Sequence, residues 1–177
     1  MSDYSIEEFC DRHDACAPGR VWAVQNCGSM QEVWAKIHAD WLLWVATRPG
    51  VLTDKELRLF VARCIRHVEF EQPGPWIDEA LDLLDRQAKG EVIDEKSIEA
   101  KFGSDYPGSW FIDLCLSPSA IDAADEVMDC LVFWAVCRPR QDIIGVKLLE
   151  ELADYLRKNT KPNFAKPELD GGVSAGS

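Results

Sequence analysis

Long apolar runs are missing from this sequence, although 47% of its residues are hydrophobic. No run approaches the roughly 18 residues that a membrane-spanning helix needs. The first residues are acidic and helical in pattern, and they lack the basic and apolar regions of a signal peptide. We therefore expect a cytoplasmic protein that contacts no membrane. Seven Trp and seven Phe supply enough apolar surface for a core, which excludes disorder for most of the chain.

Recognised catalytic and nucleotide-binding motifs are also missing. The sequence has no G-x-S-x-G, no phosphate-binding loop, no Gly-rich dinucleotide fingerprint and no H-E-x-x-H. Cys64 and His67 could serve as nucleophile and base. Side chains three apart on one helix more often pack or face solvent, however, so we expect no catalytic residues, no cofactor and no enzyme activity.

A metal motif is suggested only by Cys10-x2-His13-x2-Cys16, with Cys27 or the Cys64/His67 pair as further ligands. These residues spread over a short helix and its end, without a paired C-x2-C. The seven cysteines are odd in number, and most lie among apolar residues. We expect reduced, buried thiols rather than a metal site.

Strand-type alternation is nearly absent, whereas helix signals recur. Capping boxes are formed by Ser5 with Glu8, Ser29 with Glu32, and Thr53 with Glu56. The sequence predicts an all-α, compact bundle of roughly seven to nine helices. Residues 1–102 form a helical domain with a Trp-rich core, residues 103–160 a C-terminal helical part packed on it, and residues 161–177 a flexible tail.

Several helix starts follow from local signals. Pro18 and Gly19 interrupt the first helical stretch, so the second helix is predicted to begin at Arg20. Asp40 is predicted to cap a helix over 41–47, and Ser117 to cap a helix that runs to Cys137. Other predicted helices cover 54–69, 76–88, 97–102 and 141–159, with a joint at 103–108 and an ambiguous segment at 110–116.

The negative charge is concentrated in one third of the chain. Residues 69–129 carry 16 acids and 4 bases, a net charge of −12, whereas residues 1–68 carry −1 and residues 130–177 carry +1. Direct binding to nucleic acid through this region is disfavoured, because phosphates need Lys and Arg. A basic protein is the complementary partner.

Acidic side chains recur at helical spacing within this third. Two rows are predicted, each on one helix face: Asp78, Asp82 and Asp85, and Asp122, Asp125, Glu126 and Asp129. Carboxylates at these spacings stand roughly 5–6 Å apart and repel one another. An ordinary solvated face is one interpretation. A docking surface for a basic partner is the other, and we take these seven residues as the candidate partner-binding site.

The order of residues in the first hundred positions resembles one family. It comprises Ala15-Cys16-Ala17, Gly19-Arg20, Trp22-Ala23, Val33-Trp34, Asp40-Trp41-Leu42-Leu43-Trp44, Leu57-Arg58-Leu59-Phe60 with Cys64 and Val68, Gly90-Glu91 and Ile98-Glu99-Ala100. Over residues 12–102 it is similar to the helical immunity proteins of bacterial polymorphic toxin systems, whose relatives also occur in phages. The resemblance implies a helical fold and a binding role. The second half departs from the family, with an aromatic-rich segment and Asp122–Asp129 in place of Ala-rich helices.

The leading hypothesis is a non-enzymatic immunity- or inhibitor-type protein. It would hold a basic toxin, nuclease or nucleoprotein complex through the acidic helix faces, without contacting nucleic acid directly. Three alternatives remain open: a phage anti-defence protein, such as an anti-CRISPR, that mimics nucleic acid; a structural or assembly protein; and a metal-dependent enzyme that uses the Cys/His set.

Overall fold

The fold of the described residues is entirely helical, which confirms the all-α prediction. A computed structural model describes residues 2–67, 76–94, 96, 117–137 and 142–167. Within these ranges it contains eight helices and no strand: α1 Ile6–Arg12, α2 Ala17–Asn26, α3 Met30–Lys36, α4 Ala39–Ala46, α5 Asp54–His67, α6 Trp76–Ala88, α7 Ala120–Cys137 and α8 Asp142–Asn159. The predicted helix at 97–102, the joint at 103–108 and the segment at 110–116 lie outside them.

Two of the predicted capping boxes are complete. The Glu8 amide donates to Ser5 Oγ at 3.2 Å, and the Ser5 amide donates to Glu8 Oε2 at 2.9 Å. At the start of α5, the Glu56 amide donates to Thr53 Oγ1 and the Thr53 amide donates to Glu56 Oε2. Each box satisfies two amides that a helix start would otherwise leave unpaired.

The second helix begins differently from the prediction, whereas the third begins at the predicted cap but with an incomplete capping box. Pro18 and Gly19 lie in the first turn of α2, where a proline is tolerated because its missing amide has no helical partner. The prediction of a start at Arg20 is therefore wrong. Ser29 caps α3, but Glu32 Oε2 accepts from the Gly28 amide, so the capping box there is only half formed.

The starts of α4 and α7 also correct the prediction. His38, not Asp40, is the residue before α4. Asp40 lies in the first turn of α4, where a negative charge interacts favourably with the positive end of the helix dipole. At α7 the Asp122 amide donates to Ser119 Oγ at 3.1 Å. Ser119 is therefore the cap, two residues beyond the predicted Ser117.

The chain folds into two compact units. The first comprises the residues up to Ile37 together with those from Pro162 onward, and the second is His38–Lys161. The boundary predicted at 102/103 falls outside the described residues.

Within the second unit, α5 is the central helix. It packs against α6 and α7, while α8 packs against α4 and α7. An apolar stripe on α5 is buried and comprises Leu57, Phe60, Val61, Cys64 and Ile65. The aliphatic side chains of α4 are buried too: Leu42, Leu43, Val45 and Ala46. Trp41 and Trp44 on α4 are only half buried. After α4 a turn with Pro49 second and Gly50 third reverses the chain, and the φ of +85° at Gly50 suits glycine.

The C-terminal end of the described chain pairs with its beginning in the first unit. The Tyr4 amide donates to the Phe164 carbonyl at 2.9 Å, and the Lys166 amide donates to the Ser2 carbonyl at 3.0 Å. The Phe164 side chain is 2% exposed. Residues 162–167 are therefore held in place, whereas the sequence analysis assigned them to the flexible tail. Residues 168–177 lie outside the described residues.

No helix in the described ranges is long and apolar enough to cross a membrane.

Candidate partner-binding surface

The first acidic row lies on α6, opposite its buried face. Leu83, Leu84 and Ala88 are buried, and α6 packs against α5. Leu81, which the periodicity predicts as a core residue, is half buried. Because α6 buries one face, the predicted row of Asp78, Asp82 and Asp85 lies toward solvent, and the Asp82 side chain is 65% exposed.

Two of the three carboxylates in the predicted row on α6 have basic neighbours one turn further along. Arg86 Nη1 lies 3.9 Å from Asp82 Oδ2, and Lys89 Nζ is hydrogen-bonded to Asp85 Oδ2. The hydrogen bond that Lys89 donates to Asp85 raises the pKa of Lys89. The hydrogen bond that Arg86 Nε donates to Glu91 Oε2 raises the pKa of Arg86 in the same way. The row on α6 is therefore partly neutralised within the helix, and its unpaired member among the described residues is Asp78.

The second row, on α7, contains one carboxylate with an internal role. Asp125 Oδ1 accepts from Arg48 Nη2 at 2.9 Å, and the Asp125 side chain is 43% exposed. Its neighbours Asp122, Glu126 and Asp129 are exposed. Within the described part of the chain, neither Asp122 nor Asp129 forms an ion pair.

The arginine that binds Asp125 is itself held by several contacts. Arg48 Nε donates to the Trp44 carbonyl at 3.0 Å, and Nη2 donates to Thr47 Oγ1 at 2.8 Å. Its guanidinium also lies 4.9 Å from the centre of the Trp44 ring, within cation–π range. A guanidinium with this many fixed contacts is preorganised for Asp125. Asp125 therefore serves to join α7 to the end of α4, a contact the sequence analysis missed because the two residues lie 77 positions apart.

Arg58 joins the ends of the two acidic helices to α5. It is only 8% exposed. Its Nη1 donates to Gln87 Oε1 near the end of α6 at 2.8 Å, and its Nη2 donates to the Ser117 carbonyl just before α7 at 3.1 Å. One buried side chain of α5 thus contacts α6 and the residues just before α7. An arginine within the apolar pattern of α5 was the one feature of the sequence that could have indicated this role.

Six of the seven predicted residues therefore divide by whether a base pairs with them, and the seventh, Glu126, is exposed. Asp82, Asp85 and Asp125 are paired with bases. Asp78, Asp122 and Asp129 are exposed and form no ion pair with any residue that the structure describes, and we call these three the acidic set. Their carboxylates face solvent and are the groups best placed to meet a basic partner.

The cysteine and histidine candidates do not assemble in the described ranges. There, no three or more His, Cys, Asp or Glu side chains are grouped so that they could hold a metal ion. Cys10 is buried and Cys16 is exposed. The His13 ring packs on Phe9, with 4.5 Å between ring centres. Burial raises the pKa of Cys64, which keeps its thiol protonated and unsuited to nucleophilic attack. The His67 side chain lies outside what the structure describes.

Comparisons with known protein families, with characterised proteins and with solved structures found no match to this chain. The resemblance to immunity proteins stays a prediction of the sequence analysis.

Proposed function

We propose that the chain is a non-enzymatic binding protein of the immunity or inhibitor type. It would act in the cytoplasm and hold a basic protein, such as a toxin or effector, against the acidic faces of α6 and α7. The observation that carries the proposal is the acidic set. Asp78, Asp122 and Asp129 are exposed and, among the described residues, unpaired, in a region of the sequence whose net charge is −12.

The physical argument rests on what these carboxylates do for the free protein. On α7, Asp122 and Asp129 each lie about one turn from Glu126, and like charges at that spacing repel one another, so they oppose folding rather than assist it. A basic surface would relieve that repulsion on binding. The charges would mainly accelerate encounter and select the partner, while apolar contacts at the interface would supply most of the affinity.

The test is a capture experiment with the tagged full-length chain in lysate of the native host, at low and at high salt. Exposed charges are screened within a few ångströms at high salt, so a partner held through the acidic set should be lost there. Mass spectrometry of the captured protein would identify it. A captured nucleoprotein complex would point to the anti-defence alternative, and a captured basic toxin to immunity.

A charge-reversal variant tests the acidic set directly. Replacing Asp78, Asp122 and Asp129 with Lys should abolish the salt-sensitive capture. Asp125 is left intact because its ion pair with Arg48 joins two elements.

A matched control carries the same change in charge elsewhere. It replaces Glu7, Asp54 and Glu150 with Lys. Each triple contains two acids from the first turn of a helix and one from further along, so the effects on the helix dipoles are comparable. Equal loss of capture in both variants would show that net charge, not the acidic set, controls binding, and would contradict the proposal.

A further inference from the structure

The first unit contains an aromatic cluster that is completed by the far end of the chain. The Phe164 ring packs edge-on against Phe9, with 5.7 Å between ring centres, and against Trp34 at 6.3 Å. All three side chains are at most 6% exposed. Tyr4 also packs edge-on against Phe9, with 6.3 Å between ring centres. Edge-to-face pairs of this kind stabilise a contact beyond the area that they bury.

Backbone pairing and one ion pair fix the direction of this segment. The bonds from Tyr4 to Phe164 and from Lys166 to Ser2 flank an antiparallel bridge between Asp3 and Ala165. Lys166 Nζ lies 2.7 Å from Glu8 Oε1. The segment therefore binds as an added strand does, through its main chain, with one apolar anchor and one cation two residues later.

The sequence of the segment favours this extended form. Pro162 and Pro167 each exclude the α region for the residue before them, Lys161 and Lys166. A segment preset to be extended loses less conformational freedom when it binds. We call residues 162–167 the clasp, and the surface formed by residues 2–4, Phe9 and Trp34, with Glu8 at its edge, the clasp groove.

We propose that the clasp groove is a peptide-binding site occupied in cis by the clasp. Its ligand is an extended segment of a partner protein, with an aromatic residue followed two positions later by Lys or Arg. The clasp itself shows that chemistry: a ring seated against Phe9 and Trp34, and a cation paired with Glu8. This goes beyond the function proposed above, because it uses the first unit and none of the acidic set.

The contacts of the clasp are few enough for exchange. One buried ring, two main-chain hydrogen bonds and an ion pair whose Lys166 and Glu8 side chains are 36% and 49% exposed hold it among the described residues. Segments with so few buried contacts open locally more readily than a core helix does. The tether raises the effective concentration of the clasp, so a competing peptide binds well only when the clasp is weakened.

The test uses the full chain and a fluorescent peptide that copies residues 160–167. Phe164→Ala in the protein removes the anchor of the clasp and frees the groove. The variant should bind the peptide at least about tenfold more tightly than the wild type, since tethered competitors act at high effective concentration. A peptide carrying Phe164→Ala should not bind. Equal binding by variant and wild type, or equal binding of both peptides, would overturn the proposal.

A charge exchange tests the direction of the peptide in the groove. A peptide with Lys166→Glu should bind the Phe164→Ala protein more weakly than the unmodified peptide. Adding Glu8→Lys to the protein should restore its binding, because the ion pair is then reversed. Failure of that rescue would show that the peptide adheres through its aromatic ring alone. It would contradict the proposal that the groove binds an aromatic residue followed by a cation.

A second measurement covers the case in which Phe164→Ala unfolds the first unit. Lys166→Glu in the otherwise intact chain should accelerate hydrogen exchange at the Tyr4 and Lys166 amides. The double variant Glu8→Lys/Lys166→Glu should slow it again. Unchanged exchange in the single variant would contradict a clasp held by that ion pair. Light scattering gives the oligomeric state of the wild type. If the wild type is a dimer in which both amides stay protected, a second copy of the chain occupies the groove, and the proposed ligand is wrong.

Discussion

Arg48 Nη2 lies 2.9 Å from Asp125 Oδ1, and this ion pair connects the residue after the C-cap of α4 to the middle of an acidic row on α7. The neighbours of Asp125 on that row, Asp122 and Asp129, form no ion pair in the described part of the chain. Residues of one type on one helix face thus have two different roles. Asp125 joins two helices of the fold, whereas Asp122 and Asp129 are exposed, and we propose that they meet the partner.

The first prediction follows from this difference. Asp125→Asn should lower the free energy of unfolding by about 0.5–1 kcal/mol, as expected for a partly exposed ion pair. Asp129→Asn should change it by less than about 0.5 kcal/mol, because no contact in the described residues is lost. Arg48→Ala should cost more than Asp125→Asn, since it also loses the Trp44 and Thr47 contacts. Urea unfolding of the three variants measures these values, and equal effects of the two Asn variants would contradict the assignment.

The helices could be predicted from the sequence because their signals are local. The boxes at Ser5 and Thr53 and the stripe on α5 each depend on residues within a few positions. The bounds of α6, Trp76–Ala88, agree with the prediction for the same reason. Local signals do not distinguish Ser117 from Ser119 as the cap of α7. The hydrogen bond from the Asp122 amide to Ser119 Oγ decides between them.

The clasp and the ion pairs could not be predicted in this way. Phe164 is a single aromatic residue in a polar, Pro-containing segment, so it shows no periodicity. Its partners Tyr4 and Phe9 lie some 155 or more positions away in the sequence. Asp125 likewise has the same helical spacing as its neighbours, and nothing local marks it as the one that Arg48 binds. Contacts between distant positions decide both roles.

The second prediction concerns Arg58, a buried base whose acceptors in the described residues are neutral. Arg58→Met keeps an apolar stem but leaves Gln87 Oε1 and the Ser117 carbonyl without their donor. Leaving these half-buried acceptors unpaired should lower the free energy of unfolding by about 1–3 kcal/mol. Arg66→Met on the exposed side of α5 is the control, with an expected change below about 0.5 kcal/mol. Similar values for both variants in thermal or urea unfolding would show that Arg58 does not join the helices.

The third prediction concerns thiol reactivity. Cys64 is buried, and its burial raises the pKa of the thiol, so it should not react with a thiol reagent in the native protein. Cys16 is exposed at the start of α2 and should be modified first among the four cysteines whose side chains the structure describes. Timed labelling followed by peptide mapping distinguishes the sites. Modification of Cys64 at the rate of Cys16 without denaturant would mean that α5 is less well packed than the structure shows.

The last prediction is a pH dependence of the clasp. The hydrogen bond from Lys166, with a further bond from the Ser5 amide, lowers the pKa of Glu8. A carboxyl group with a lowered folded-state pKa stabilises the fold fully above its unfolded-state pKa, about 4.3 for Glu. That contribution is lost as the pH falls through the lowered value, so the clasp should loosen below about pH 4. The Lys166 amide resonance in an NMR titration should report the change.

Glu8→Gln separates this titration from general acid unfolding. The variant should show at neutral pH the weaker clasp that the wild type shows in acid, and it should lack the pH-dependent step at Lys166. Glu7→Gln, one position away and outside the ion pair, should retain that step. If both variants kept the wild-type titration, the clasp would be held by Phe164 and the main chain alone. A competing peptide would then not need a cation, which contradicts that part of the proposal.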